Sequence, residues 1–223
     1  FGENLVREAQ SIMRSETIKT GTNERNVFLN NLGTVPKTSI EKRSFIAYFQ
    51  PKIDMRDGSL AGAEALVREI EEDGTLIPPA TFIEALENNG RIRELDLYML
   101  EQVLWQLSEW KSLGMPPIRV SVNISRHTLL DPNALASILA IQSHYPDIPT
   151  DRISLEITET AGDIEKTTLS SIIDRFREFG IRFELDDFGS HYSNISIFSN
   201  INFDTIKLDK SLISELPDNE ISQ

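Results

Sequence analysis

Apolar runs of strand length recur along most of this chain, separated by stretches with helical spacing. The runs are Phe45–Ile53, Leu60–Val67, Ile118–Ile124, Ile153–Ile157, Ile181–Leu185 and Thr205–Leu208, and each predicts a strand. Between them, Pro78–Asn89, Glu94–Leu113, Asn133–Ser143 and Ile164–Phe179 predict helices. In the second of these, Leu97, Met99, Leu100, Val103, Leu104, Leu107 and Trp110 fall close to a 3.6-residue period, and Gly180 supplies a C-terminal stop for the last. Alternation of this kind implies parallel strands joined by helical crossovers, in an open sheet or a barrel. The first pair differs, because Met55-Arg56-Asp57-Gly58 joins its strands. Asp-Gly marks a hairpin, so that pair is expected to be antiparallel.

Residues 1–44 do not share the rhythm. A helix is expected near Asn4 to Ser15, followed by a polar run and a break from Gly33 to Pro36, so the segment reads as a linker or lead-in helix to a domain spanning 45–223. Charge separates the two parts. The first 44 residues hold seven Lys and Arg against five Asp and Glu, leaving 15 against 30 in the remainder. The whole chain of 223 residues has a net charge of −13. That balance disfavours nucleic acid as a partner, since such binding rests on neutralising phosphates. The complete lack of cysteine excludes disulfides, thiolate nucleophiles and Cys-ligated zinc. No stretch reaches the roughly 18 apolar residues of a membrane span, so a cytoplasmic domain is expected, in a parent that is either soluble or anchored elsewhere.

The polar residues of the strands carry the chemistry. Glu64, Asn123, Glu156 with Glu159, Asp186 with Asp187, and Lys207 all sit at or just inside the C-terminal ends of successive strands, at spacings of 59, 33, 30 and 21 residues. In barrels and open α/β sheets alike, that edge is where active sites are built. Carboxylates converging there repel one another unless a cation neutralises them. With oxygen ligands and neither Cys nor His at these strand ends, the cation expected is Mg²⁺ or Mn²⁺. The adjacent Asp186 and Asp187 could divide between two ions about 3.5–4 Å apart, the arrangement that clamps attacking and leaving oxygens in phosphoryl transfer.

Tyr48-Phe49-Gln50-Pro51, Glu64-Ala65-Leu66-Val67-Arg68, Val122-Asn123-Ile124-Ser125, Leu155-Glu156-Ile157-Thr158-Glu159, Asp186-Asp187-Phe188-Gly189 and Ile206-Lys207-Leu208-Asp209 occur in this order. Together they resemble the EAL domain, the bacterial cyclic di-GMP phosphodiesterase family. A second Glu-Ala-Leu at Glu84–Leu86 lies in a helical stretch and does not match. The resemblance implies an α/β fold, a modified TIM (β/α)8 barrel with an antiparallel first strand. It implies hydrolysis of cyclic di-GMP to linear pGpG with Mg²⁺ or Mn²⁺. Carried over by position, Glu64, Asn123, Glu156 and Asp186 would bind the first metal and Asp187 the second. Lys207 would contact the catalytic water, Gln50 and Arg68 the substrate, and Glu159 would brace the loop after Asp187. Glu64, Asp187 and Lys207 are thus the expected catalytic set. Bound cations would reverse the local field and let an acidic protein take an anionic substrate.

The chain departs from the family pattern in three places. The loop after the aspartates reads Gly189-Ser190-His191-Tyr192-Ser193, where the family usually has Gly-Thr-Gly-Tyr-Ser, so His191 replaces a residue of free φ. Glu69 stands where many members have Trp. Nothing after Ile213 matches the family's last two strands, so the domain is expected to be C-terminally incomplete as written, truncation being favoured over exchange with another chain. Enzymatic activity is expected if the parent supplies those strands. The alternative is a degenerate EAL module that binds cyclic di-GMP or a protein partner without hydrolysis. A homodimer and flanking cyclase or sensor domains are further expectations of the resemblance.

Overall fold

The structure, a computed structural model, describes residues 44–71, 73–158, 166–189 and 201–211. The expected lead-in helix, Glu159, His191 and the segment after Ile213 lie outside the described residues.

Seven strands form one sheet. They are β1 (Ser44–Ile53), β2 (Leu60–Ile70), β3 (Leu76–Ile77), β4 (Arg119–Asn123), β5 (Ile153–Thr158), β6 (Arg182–Phe188) and β7 (Thr205–Leu208). The spatial order is β1-β2-β4-β5-β6-β7, with β3 pairing onto β2. β1 is antiparallel to β2, as the Asp57-Gly58 turn requires. That turn closes with Asp54 N–H donating to the Ser59 carbonyl at 2.8 Å and Gly58 at a φ of +76°, a conformation glycine adopts without strain. Every later neighbour, from β2–β4 to β6–β7, is parallel. This is the modified TIM-barrel arrangement, with the sheet open between β7 and β1 among the described residues.

The parallel strands are connected by α1 (Ile83–Asn88), α2 (Ile92–Ser112), α3 (Arg126–Leu129), α4 (Ala134–Ser143) and α5 (Lys166–Arg177). Three differences from the sequence reading have simple causes. The Pro78–Asn89 stretch begins as a 3-10 turn over Pro79–Thr81 before α1, with Pro79 in the first turn, where its missing N–H costs no intrahelical bond. α2 starts two residues earlier than expected, at Ile92, since Ile92 is needed in the core at 1% exposure. The two-residue β3 and the single turn of α3 are too short to show a period.

Strand alternation divides the sheet into two chemically different faces. Ala63 and Ala65 of β2, Val120 and Val122 of β4, Ile153, Leu155 and Ile157 of β5, and Phe183 and Leu185 of β6 are buried on the face that meets the helices. Phe49 stacks edge-on against Trp110 of α2, 4.9 Å between centroids, and Phe183 does the same with Phe176 of α5 at 5.6 Å. Burying such rings supplies much of the stabilisation, about 1.5–3 kcal/mol for each large apolar side chain. The residues between them point to the opposite, inner face: Glu64, Ser121, Asn123, Ser154, Glu156, Glu184 and Asp186. Buried parallel strands are usually apolar on both sides. Here the inner face is polar, and it positions the site.

Candidate functional site

The ladder register brings the polar residues of successive strands to one height. Asn123 of β4 pairs with Glu156 of β5, Thr158 of β5 with Asp186 of β6, and Gln50 of β1 lies opposite Glu64 of β2. The result is a cluster. Carboxylate oxygens of Glu64, Glu156 and Asp186 lie within 4.8 Å of one another. Lys207 of β7 stands among all three, with its Nζ 2.8 Å from Glu64 Oε2, 3.3 Å from Glu156 Oε2 and 2.9 Å from Asp186 Oδ2. Asn123 joins through its Nδ2, which donates to Glu64 Oε1 at 3.4 Å.

The electrostatics follow from burial and proximity. Burial raises the Glu64 carboxyl above its ordinary range, and repulsion from Glu156 adds to this, against the attraction of Lys207. Glu156 is fully buried, which would raise its carboxyl, yet the Lys52 charge and hydrogen bond, with Lys207 behind them, hold it below the ordinary value. Lys207 itself loses solvation, which would lower its pKa, but the hydrogen bond to Glu64 and the charge of Glu156 raise it. The ammonium is thus held firmly protonated, doing for the carboxylates what a metal cation would do. Three hard oxygen donors within one ion's reach and a neighbouring amide fit Mg²⁺ or Mn²⁺.

Asp187 stands apart from the three. The β6–β7 pairing shifts register between Leu185 and Phe188, and Asp187 adopts a φ of +54°, which Asp tolerates better than most residues. The irregularity turns the strand so that consecutive aspartates both serve the rim. Asp187 is largely exposed, and its partial loss of solvation together with the negative charges of Asp186 and Asp209 raises its carboxyl. Arg68 lies four residues beyond Glu64 on the same face of β2, its Nη1 donating to the Val67 carbonyl at 2.7 Å. Gln50 is exposed at the mouth.

Two charged residues of this face went unnoticed in the sequence. Lys52 of β1 donates to Glu156 Oε1 at 2.9 Å and to Glu184 Oε2 at 2.6 Å. Strand alternation was the available signal, since Lys52 follows Gln50 by two residues and Glu184 precedes Asp186 by two. Away from this face, Asp96 of α2 accepts from Ser125 N–H at 2.8 Å and Thr128 Oγ1 at 2.6 Å, fixing the turn that follows Asn123.

The sequence profile described as the EAL domain matches residues 36–223. This chain belongs to the EAL domain family. Among its relatives, the probable cyclic di-GMP phosphodiesterase PdeB of Escherichia coli is 32% identical over 178 residues, covering 80% of this chain and 34% of PdeB. The cyclic di-GMP phosphodiesterase PA2567 of Pseudomonas aeruginosa is 30% identical, covering 78% of this chain and 30% of that protein. The chain thus spans about a third of the length of these two relatives. Among solved structures, the MucR phosphodiesterase in complex with c-di-GMP superposes with a TM-score of 0.73 at 23% identity, over 88% of this chain and 77% of that one. The FimX EAL domain of Xanthomonas citri, also in complex with c-diGMP, gives 0.71 at 18% identity over 90% and 77%. At such identities the superpositions establish the shared fold.

Proposed function

We propose that this EAL domain is the catalytic part of a metal-dependent phosphodiesterase that hydrolyses cyclic di-GMP to linear pGpG. The observation that carries the reading is the convergence of Glu64, Glu156 and Asp186 within one ion's reach around Lys207. Relatives named cyclic di-GMP phosphodiesterases support the choice of substrate.

Glu64, Glu156, Asp186 and the carbonyl oxygen of Asn123 would hold Mg²⁺ or Mn²⁺, with Asp187 serving a second ion. A cation bound there would supply Lewis-acid polarisation of a phosphate oxygen and a nucleophilic water at neutral pH. The residues of the chain do the rest. Arg68, with its planar fork of donors, suits a non-bridging phosphate oxygen, and Gln50 offers amide groups at the mouth. Lys207, which keeps its proton, would donate a hydrogen bond that orients the attacking water and would compensate charge that grows on the phosphoryl group. Attack at phosphorus forms one P–O bond and breaks the bond to O3′. The attacking water gives up one proton as its oxygen joins phosphorus and the departing O3′ takes one up, leaving a 3′-hydroxyl and a 5′-phosphate. Glu159 is assigned to bracing the loop after Asp187.

The parent is proposed to act in the cytoplasm, where cyclic dinucleotides serve as messengers, and the greater length of the relatives supports flanking sensor or cyclase domains. Among the described residues no helix is long and apolar enough to cross a membrane. The presence together of Glu64, Glu156, Asp186 and Asp187 favours an enzyme over a module that only binds the nucleotide.

The test is chromatography of cyclic di-GMP incubated with the full-length protein and Mg²⁺ or Mn²⁺. The expected result is pGpG that disappears on chelation. Glu64→Gln should lower the rate by more than about a hundredfold, because even outer partners of a metal site are worth about 10–100-fold. Nucleotide that binds but stays intact with both metals would turn the reading to a non-hydrolytic receptor.

A further inference from the structure

Beneath the carboxylate cluster the inner face carries a second charged layer that the proposed reaction does not use. Lys52 reaches across from β1 and donates to Ser121 Oγ at 2.7 Å, Glu156 Oε1 at 2.9 Å and Glu184 Oε2 at 2.6 Å. Those three contacts use all the protons of its ammonium. Glu184 is held in turn, its Oε1 accepting from Ser154 Oγ at 2.5 Å. Lys52 lies opposite Gly62 in the β1–β2 ladder, where no side chain intrudes on its path. A Cβ at Gly62 would stand 2.6 Å from the Arg119 carbonyl oxygen. Barrel interiors at this depth are ordinarily packed with branched apolar side chains. Placing an ion pair there instead, with the Lys52 side chain 29% exposed and both glutamates buried, gives little net stability, because desolvation of the glutamates offsets the Coulombic gain. A structural role alone does not account for it.

The arrangement divides the two oxygens of Glu156. Oε1 belongs to Lys52, while Oε2 faces Lys207 at 3.3 Å and, with it, the space shared with Glu64 and Asp186. A carboxylate without such a tether could turn to offer one oxygen or both. The geometry points to Lys52 as a positioning residue, resting on the metal centre proposed above, that locks Glu156 into presenting Oε2 alone, with Ser121 as its second anchor and Glu184 balancing its charge. Lys52 itself touches neither substrate nor ion. Its effect passes through the orientation of one ligand, as outer partners of metal sites commonly act.

The experiment is a Mn²⁺ titration of the full-length protein followed by the paramagnetic resonance signal of the free ion, with melting curves recorded alongside. Lys52→Met is expected to weaken Mn²⁺ binding by about 10–100-fold. Glu184→Gln leaves Lys52 on Glu156 and Ser121, so it should change the affinity by less than about threefold, well under the range for a lost outer partner. A pair that served only to brace the fold would cost melting temperature from either side and move Mn²⁺ affinity equally or not at all. Either of those outcomes, equal weakening by both variants or wild-type affinity in folded Lys52→Met, overturns the inference. If Lys52→Met does not fold, Lys52→Gln decides by the same criterion. Wild-type protein that binds no Mn²⁺, or whose binding survives Glu64→Gln, removes the metal centre itself and this inference with it. Normal wild-type binding with an indifferent Lys52 removes this inference alone.

Discussion

Three carboxylates on three strands share one ammonium, and the balance among them sets how the site behaves without a cation. Among the described residues, Lys207 is the only cation paired with Glu64, Glu156 and Asp186 at once. Removing it leaves mutually repelling charges, of which Glu156 is fully buried. Lys207→Met should therefore destabilise the metal-free protein by about 3 kcal/mol, at the low end for breaking a buried pair because the lysine is partly open to solvent. Saturating Mn²⁺ should restore most of that loss, and chemical denaturation with and without the ion checks both statements. Asn123, Glu156, Asp186 and Lys207 were legible in the sequence because each closes an apolar run near a strand end, whereas Glu64, expected at a strand end, lies in the middle of β2, which runs on to Ile70 to pair with β1 and β3. Lys52 and Glu184 were not legible. A charge inside a strand reads as a solvated position unless the facing strand is known, and their partners lie 104 and 132 positions from Lys52 along the chain.

Elements hold these side chains at one height through a few close contacts. Gly62 lets β2 and β4 approach, and a Cβ there would meet backbone, the Arg119 carbonyl oxygen at 2.6 Å. Gly62→Ala is expected to cost about 1–3 kcal/mol, as overpacking of a well-filled core does, read as a lower denaturation midpoint with unchanged slope. Asp96 ties α2 to the turn after β4 by accepting from Ser125 N–H and Thr128 Oγ1. Burial pushes its carboxyl up to about 6, against the hydrogen bonds from Thr128 and Ser125 that favour the charged form. The folded state therefore keeps a proton that the unfolded chain has lost between about pH 4 and 6. Stability contributed by protonated Asp96 is complete below pH 4 and is lost as pH rises through 6. Asp96→Asn should gain on the wild type by about 1–2 kcal/mol across that window, half-burial being allowed for, and unfolding curves at pH 4 and pH 7 check the sign. The antiparallel hairpin and the βα alternation could be read from turn residues and periodicity. The displaced register at Asp187 could not, since a bulge leaves no trace in hydrophobic pattern.

The molecule as a whole separates its work by face. Apolar residues of alternate strand positions meet the helices, and the polar positions between them form a charged inner face. Nearly all of this division was visible as strand alternation once the strands were placed. What sequence could not supply was depth, the fact that the inner face has two charged layers, one built around Lys207 and one around Lys52. Family membership places the chain beside relatives named cyclic di-GMP phosphodiesterases, and the proposed function turns on the proposed metal centre. The most direct measurement is anomalous diffraction from crystals of the full-length protein grown with Mn²⁺. The account predicts a peak within about 2.0–2.3 Å of carboxylate oxygens from Glu64, Glu156 and Asp186, the range for small hard divalent cations, with Lys207 moved off at least one of them. An empty map, with Lys207 still bridging all three carboxylates at saturating Mn²⁺, would contradict it.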